Sequence, residues 1–232
     1  MNEDILVIIP VHNEEKTIGN ILRELKKNFK NILVIDDGSK DKSKEIALKE
    51  KVLVICHELC KGKGEALKTG FAFALKNNFK AMITMDGDGQ HLPEEAIKFV
   101  EKYRKKENIG IWIGQRDLFS KDMPLIRKIT NLSMSILISL LSFQWISDTQ
   151  CGFRLIKTDV LKKVKLYTSH FETESEILIK SAWYGFKIKS IPIKTVYDKE
   201  KSKIKPIRDT YRFFRMILFI FFPSLLKRKW KS

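Results

Sequence analysis

Four short apolar runs punctuate the first hundred positions: Ile5-Leu6-Val7-Ile8-Ile9, Ile32-Leu33-Val34-Ile35, Val52-Leu53-Val54-Ile55 and Ala81-Met82-Ile83-Thr84-Met85. Hydrophobicity that is continuous rather than alternating marks strands covered on both faces of a parallel sheet. Between the runs, segments 17–27, 41–49 and 64–76 carry apolar residues at helical spacing behind a capping residue or a glycine. Strand alternating with helix predicts βαβ units, hence an α/β fold built on a doubly wound, mostly parallel sheet. The second half is less regular. It predicts helices over 93–107 and 171–185 and strands over 109–113, 150–156 and 186–196.

Segment 129–147 has a pattern of its own. Its 19 residues carry no formal charge, eight are polar, and Asn131, Ser135, Ser139 and Ser142 recur at spacings of four, four and three. That makes a helix with one narrow polar stripe and an otherwise apolar girth. Such a helix is either buried in the domain or turned toward lipid beside an acceptor site, and the second reading is favoured.

Charge sharpens this picture at the C-terminus. The 232 residues include 44 Lys plus Arg and 28 Asp plus Glu, a net charge of +16. Residues 199–232 hold 11 of the basic residues and only Glu200 and Asp209 as acids. Arg208, Arg212 and Arg215 share one helical stripe among aromatic residues, and an apolar run from Met216 to Phe222 follows. A bilayer-spanning helix needs about 20 predominantly apolar residues. This shorter run, interrupted by Pro223, should lie on an anionic membrane surface rather than cross it. Packing of these aromatics on the domain itself or on a partner is the alternative. A domain over 1–205 with a basic, aromatic membrane-surface helix over 206–232 is therefore expected. Three cysteines, an odd number, argue against a disulfide framework, and Met1-Asn2-Glu3-Asp4 lacks the basic start of a signal peptide. The expected location is cytoplasmic, peripheral on the inner face of the cell membrane.

In doubly wound sheets ligands bind beyond the carboxyl ends of the strands, so the residues after each apolar run are where chemistry belongs. Asp86-x-Asp88 with Gln90 presents two carboxylates and an amide oxygen within one turn, hard ligands suited to Mg²⁺ or Mn²⁺ and, through it, to a nucleotide diphosphate. Asp36-Asp37-Gly38-Ser39 offers a second acidic pair for a nucleobase N–H or a ribose hydroxyl, although Asp-Gly is also ordinary turn chemistry. Cys56, His57 and Cys60 lack a fourth zinc ligand nearby and are expected to be structural. Lys61-Gly62-Lys63-Gly64 lacks the spacing of a phosphate loop and is expected to be a flexible helix start near the donor.

Taken in order, Pro10-Val11-His12-Asn13-Glu14-Glu15, Asp36-Asp37-Gly38-Ser39-Lys40-Asp41, Lys61-Gly62-Lys63-Gly64, Asp86-Gly87-Asp88-Gly89-Gln90-His91 and Gly152-Phe153-Arg154 resemble the motifs of family 2 glycosyltransferases with the GT-A fold. Within that family the pattern is most similar to polyprenyl-phosphate sugar synthases of the dolichol-phosphate mannosyltransferase type. The resemblance implies that Pro10, His12, Glu14 and Asp37 line a nucleoside pocket. It implies that Asp86, Asp88 and Gln90 hold a metal and the donor diphosphate, and that Arg116, Arg127 and the Ser202-Lys203 pair face donor or acceptor phosphates. Glu174 or Glu176 becomes a candidate for contacting the sugar. His12 stands where a tyrosine is usual, and Cys151 where Ser or Thr often precedes Gly-Phe-Arg.

The activity so implied is metal-dependent, inverting transfer from a nucleotide diphosphate sugar, of the GDP-mannose or UDP-glucose type, to a dolichyl or undecaprenyl phosphate, with an integral membrane protein as a further partner. Two rivals compete with it. A same-fold transferase acting on a soluble glycan or protein hydroxyl leaves the basic aromatic tail without a task. A basic nucleic-acid-binding module accounts for the net charge but not for carboxylates at several strand ends, so nucleic acid is not expected as a partner.

Overall fold

The computed structural model describes residues 2–105, 108–117, 125–196 and 206–221. The first apolar run forms β1 (Ile5–Val11), followed by α1 (Ile18–Lys26), β2 (Ile32–Asp36), α2 (Ser43–Lys49), β3 (Leu53–Cys56), α3 (Lys63–Lys76) and β4 (Ala81–Thr84). After a 3₁₀ turn at Pro93–Glu95 come α4 (Ala96–Arg104), β5 (Ile109–Gln115), α5 (Leu125–Ser142), β6 (Arg154–Lys157), α6 (Thr158–Lys163), α7 (Glu172–Trp183), β7 (Lys187–Pro192) and α8 (Pro206–Phe221). The seven strands make one sheet in the order β3-β2-β1-β4-β6-β5-β7. All neighbouring pairs are parallel except those involving β6, which runs antiparallel to both β4 and β5.

The apolar runs of β1, β2 and β4 are buried as their composition requires. The third run departs from expectation. β3 is an edge strand, so Leu53 is half-exposed rather than covered on both faces. In the second half of the core, Phe99 of α4 packs on Phe153 with ring centroids 4.7 Å apart, and Trp112 of β5 is fully buried.

Three expected elements end or begin differently from their patterns, one of them the strand expected over 186–196, which spans Lys187–Pro192. The helix expected to reach residue 147 ends at Ser142, where Phe143 takes a left-handed backbone (φ 53°) that stops an L-residue helix. The strand expected from 150 begins only at Arg154, because residues 148–153 are drawn into a loop held by side chains of the site. The short α6 was not visible in the pattern, being under two turns long.

The polar stripe of α5 faces inward. Asn131, Ser135, Ser139 and Ser142 are buried, whereas Ile129, Leu132, Ile136, Leu140 and Phe143 are exposed, Leu140 by 68% and Phe143 by 88%. The inward hydroxyls hold the following loop. Ser139 Oγ accepts from the Ile146 backbone N–H at 2.9 Å, and Ser135 Oγ accepts from that of Thr149 at 3.0 Å. Ile138 is buried on the same inner side and Met134, Leu137 and Leu141 pack against the core, so the helix meets the domain through polar and apolar groups while leaving a second apolar stripe outward.

α8 divides its apolar residues between two faces. Phe213, Met216 and Phe219 are buried, with Phe219 meeting the Tyr167 ring at 5.2 Å. Tyr211, Phe214, Leu218 and Phe221 face outward. The helix is thus anchored to the domain on one side while presenting a second apolar stripe on the other. Residues 222–232, including the terminal basic cluster, lie outside the described residues. Among the described residues no helix is long and apolar enough to cross a membrane.

Candidate active site

Parallel topology brings the loops after β1, β2, β4 and β5 to one edge of the sheet, as strand polarity requires. The first two loops are latched together. Asn13, with a left-handed backbone, receives a hydrogen bond from the Lys40 N–H at 2.8 Å, and its own N–H donates to Ser39 Oγ at 3.0 Å. The Glu14 N–H donates to Ser43 Oγ at 2.7 Å, and His12 Nδ1 lies 2.8 Å from the Asp37 carbonyl. Pro10, His12 and Glu14 are all partly exposed at this edge.

Asp37 is spent differently from its neighbours. Its carboxylate turns into the protein, where it meets His57 Nδ1 at 2.7 Å and accepts from the backbone N–H groups of Lys61 at 2.9 Å and Gly62 at 2.8 Å. Burial pushes this carboxyl up, but the hydrogen bonds from His57, Lys61 and Gly62 more than offset it and hold it below the ordinary carboxylate value. Asp37 therefore fixes the 57–62 loop, which sets the start of α3. Gly38 (φ 67°) permits this, since a Cβ there would lie 2.7 Å from the Cys60 backbone nitrogen.

The loop after β4 carries the oxygen donors. Asp88 Oδ1 accepts from the Gln90 N–H at 3.0 Å, and the Gln90 carbonyl accepts from Val196 N–H at 3.0 Å, tying this loop to the chain beyond β7. Thr17 Oγ1 donates to the Gly87 carbonyl at 2.6 Å, which joins the loop to the start of α1. Asp86 lies 2.7 Å from the Lys63 ammonium, and the same ammonium lies 2.7 Å from Glu174. Burial acts to raise the Asp86 carboxyl, and Lys63, with smaller help from His91 and Arg116, overrides it and brings it down to about 2. Burial pushes the neighbouring His91 imidazole below its ordinary value, and Asp86 and Asp88 only partly counter this. His91 Nδ1 is buried without a hydrogen-bond partner among the described residues.

Gly152 closes this cluster from the β6 side. A Cβ there would stand 2.7 Å from one Asp86 carboxylate oxygen and 2.9 Å from Lys63 Nζ. Replacing Gly152 by Ala is expected to displace the Asp86–Lys63 pair and to cost about 1–3 kcal/mol of stability, read by chemical denaturation, with a loss of activity exceeding that of a surface Gly→Ala control. Stability and activity at the level of the native protein would show that the close approach is not needed.

Arg116, after β5, makes a bidentate pair with Asp148: Nε to Oδ2 at 2.7 Å and Nη2 to Oδ1 at 2.9 Å, with both side chains buried. The Arg154 guanidinium of the Gly-Phe-Arg motif donates to three backbone carbonyls, those of Cys151, Thr149 and Glu174, and so shapes the 148–153 loop. Of the two candidate glutamates, Glu176 is fully buried and accepts from the Tyr167 and Thr168 backbones and from Lys180. Glu174 remains at the cluster, paired with Lys63. Arg127 lies on α5, but its side chain, like Ser202 and Lys203, is outside the described residues. Sequence reasoning missed Asp148 and the bridging role of Lys63. Lys63 stands in the Lys61-Gly62-Lys63-Gly64 motif, but nothing local says what its ammonium meets. Asp148 belongs to no motif, so that only the requirement that a buried guanidinium be paired points to a carboxylate such as it.

The oxygen-donor loop suits a divalent ion of the Mg²⁺ type. Among the described residues no three His, Cys, Asp or Glu side chains form a ready cage. Magnesium is commonly held by one or two carboxylates together with substrate phosphates rather than by an all-protein cage, which is the donor set that Asp86, Asp88 and Gln90 can offer.

A mostly parallel sheet with such a loop at its carboxyl edge is the GT-A arrangement, and the profile of glycosyl transferase family 2 matches residues 6–165. The chain belongs to that family and is a glycosyltransferase. An uncharacterized protein of Methanocaldococcus jannaschii is 40% identical over 201 residues, covering 84% of this chain and 82% of its own. The UDP-N-acetylglucosamine–dolichyl-phosphate N-acetylglucosaminyltransferase of Methanococcus voltae is 35% identical over 217 residues, covering 83% of this chain and 86% of its own. In fold, the chain is similar to glucosyl-3-phosphoglycerate synthase from Mycobacterium tuberculosis, crystallised with Mn²⁺ and UDP-glucose, with a TM-score of 0.72 at 18% identity over 97% of this chain and 78% of that one.

Proposed function

We propose that the protein transfers a sugar from a nucleoside diphosphate sugar to a polyprenyl phosphate, with inversion at the anomeric carbon, while seated on the inner face of a membrane. The observation that carries the acceptor class is α5 with its polar stripe inward. Its hydroxyls organise the loop bearing Asp148 and hence Arg116, while Leu140 and Phe143 are left outward. Trp183 of α7 links this helix to α8, donating to the Leu141 carbonyl at 2.8 Å and meeting the outward Phe221 ring at 5.2 Å. A helix that spends its polar side on the active site and offers Leu140 and Phe143 to its surroundings suits an acceptor delivered from lipid. The dolichyl-phosphate acceptor named for the Methanococcus voltae relative agrees with this reading.

The residues divide the work by charge. Pro10, His12 and Glu14 border the nucleoside, and Asp37 holds the neighbouring loop in shape. Asp86, Asp88 and Gln90 would hold Mg²⁺ or Mn²⁺, which neutralises charge on the departing diphosphate. Arg116, held at the end of β5 by its bidentate pair with Asp148, brings a cation to the phosphates, with Arg127 and Lys203 as further cations. A lipid monophosphate has a second pKa of about 6 and is largely a dianion near neutral pH, so its oxygen attacks the anomeric carbon without a general base. The new C–O bond forms as the bond to the diphosphate breaks. One displacement gives a β-linked product from an α-linked donor.

Product analysis tests this directly. With labelled nucleotide sugars, a mild-acid-labile glycolipid formed from polyprenyl phosphate, and not from the dephosphorylated polyprenol or from free sugars, is the expected result. Efficient transfer to the alcohol or to a soluble hydroxyl would replace the acceptor assignment with the soluble-acceptor reading.

The membrane seat has its own test. Leu140→Glu with Phe143→Glu, both on exposed positions, is expected to leave the fold intact and weaken binding to anionic vesicles by about tenfold or more, since each side chain loses on the order of 1.5–3 kcal/mol of apolar burial. Unchanged sedimentation with vesicles would assign the face to some other partner.

A further inference from the structure

Lys63 is the first residue of α3, a position where the helix dipole disfavours a cation. Something else must hold it there, and the ammonium sits between two carboxylates, 2.7 Å from Asp86 and 2.7 Å from Glu174. The approach is built into the backbone on two sides. Gly62 turns into the helix with φ 102°, and Gly152 lacks the Cβ that would lie 2.9 Å from the ammonium and 2.7 Å from an Asp86 oxygen. Beyond Glu174 lies Arg154, 3.8 Å away, so charges alternate along Arg154, Glu174, Lys63 and Asp86. The side chains of Lys63 and Glu174 are mostly shielded from solvent, at 18% and 12% exposure, so their Coulomb interactions are only weakly screened.

We propose that Lys63 is a resident counter-cation that competes with the divalent ion for Asp86 and passes to Glu174 when that ion and its diphosphate arrive. The inference rests on the metal-dependent reading above and goes beyond it. A divalent ion on Asp86 repels an ammonium at 2.7 Å from the same carboxylate, and Glu174 offers that ammonium a second acceptor at no further distance. Without nucleotide, Lys63 keeps Asp86 paired and metal affinity low. With nucleotide, the diphosphate oxygens supply the charge that lets the ion displace it, so metal and donor bind together. Lys63 acts here as a positioning residue.

The test is Mn²⁺ binding to the nucleotide-free protein, read from the electron paramagnetic resonance signal of the free ion and needing no turnover. Lys63→Met is expected to tighten Mn²⁺ binding about tenfold, while Lys63→Arg, which keeps the charge, stays near the native value. Lys63→Met should also melt lower than the native protein without metal and gain more from added Mn²⁺. If Lys63→Met does not fold, Lys63→Gln, whose amide still hydrogen-bonds both carboxylates, decides in the same way. Binding of unaltered or weaker strength in the charge-removing variant overturns the role of Lys63 alone. Absence of Mn²⁺ binding with and without nucleotide, in native protein and variants alike, overturns it together with the metal reading.

Discussion

Asp88→Asn is expected to lower sugar transfer about a hundredfold or more while leaving the melting temperature within about 2 °C of the native protein. The expectation of a large kinetic effect follows from where charge develops. The departing diphosphate is the group that most needs stabilisation, and removing a carboxylate proposed to hold the metal forfeits several kcal/mol of it, each 1.36 kcal/mol being about tenfold in rate. The expectation of a small stability effect follows from the surroundings: Asp88 is partly exposed, and the interaction seen for its carboxylate is the N–H of Gln90 two residues on, which an asparagine oxygen can still accept. Excess chelator should reproduce the loss in the native protein. Full activity of the variant, or activity that survives chelation, would remove the ion from the reaction.

Asp148→Ala should do the opposite to stability. Its carboxylate is completely buried and accepts two side-chain bonds and one backbone bond from Arg116. Removing it takes the bidentate carboxylate from a buried guanidinium, a change that costs about 3–5 kcal/mol. For a chain of this size that corresponds to roughly 10 °C in melting temperature. Activity should fall further than instability explains, because Arg116 loses the fork that fixes the orientation its proposed phosphate contact needs. Activity per folded molecule is the quantity to measure, at a temperature well below the transition. A variant that melts like the native protein would mean that water or another side chain already satisfies Arg116.

The two variants separate what was legible in the sequence from what was not. Asp86, Asp88 and Gln90 stood out because an apolar run precedes them and because β-strand polarity places every such loop on one edge. Asp148 follows no apolar run and has no motif spacing. Its role depends on a partner 32 residues away that only the folded chain supplies. Asp37 shows the same limit from the other direction. Its motif was plain, yet the direction of its carboxylate was settled by the 57–62 loop folding back over it.

The sequence by itself determined the α/β class, the order of the first four strands and three helices, and the placement of the candidate chemistry at the strand ends. Periodicity and turn chemistry are local, and they act over a few residues wherever the segment finally lies. The tertiary structure alone decided that β3 is an edge, that β6 inserts antiparallel between β4 and β5, and that the polar stripe of α5 points inward. It also brought Lys63 between Asp86 and Glu174, residues from three separate segments. An amphipathic pattern states that a helix has two faces but not which one meets the core. That choice is made by the summed burial and hydrogen bonding of distant segments, here the 144–149 loop whose backbone N–H groups the serines of α5 satisfy.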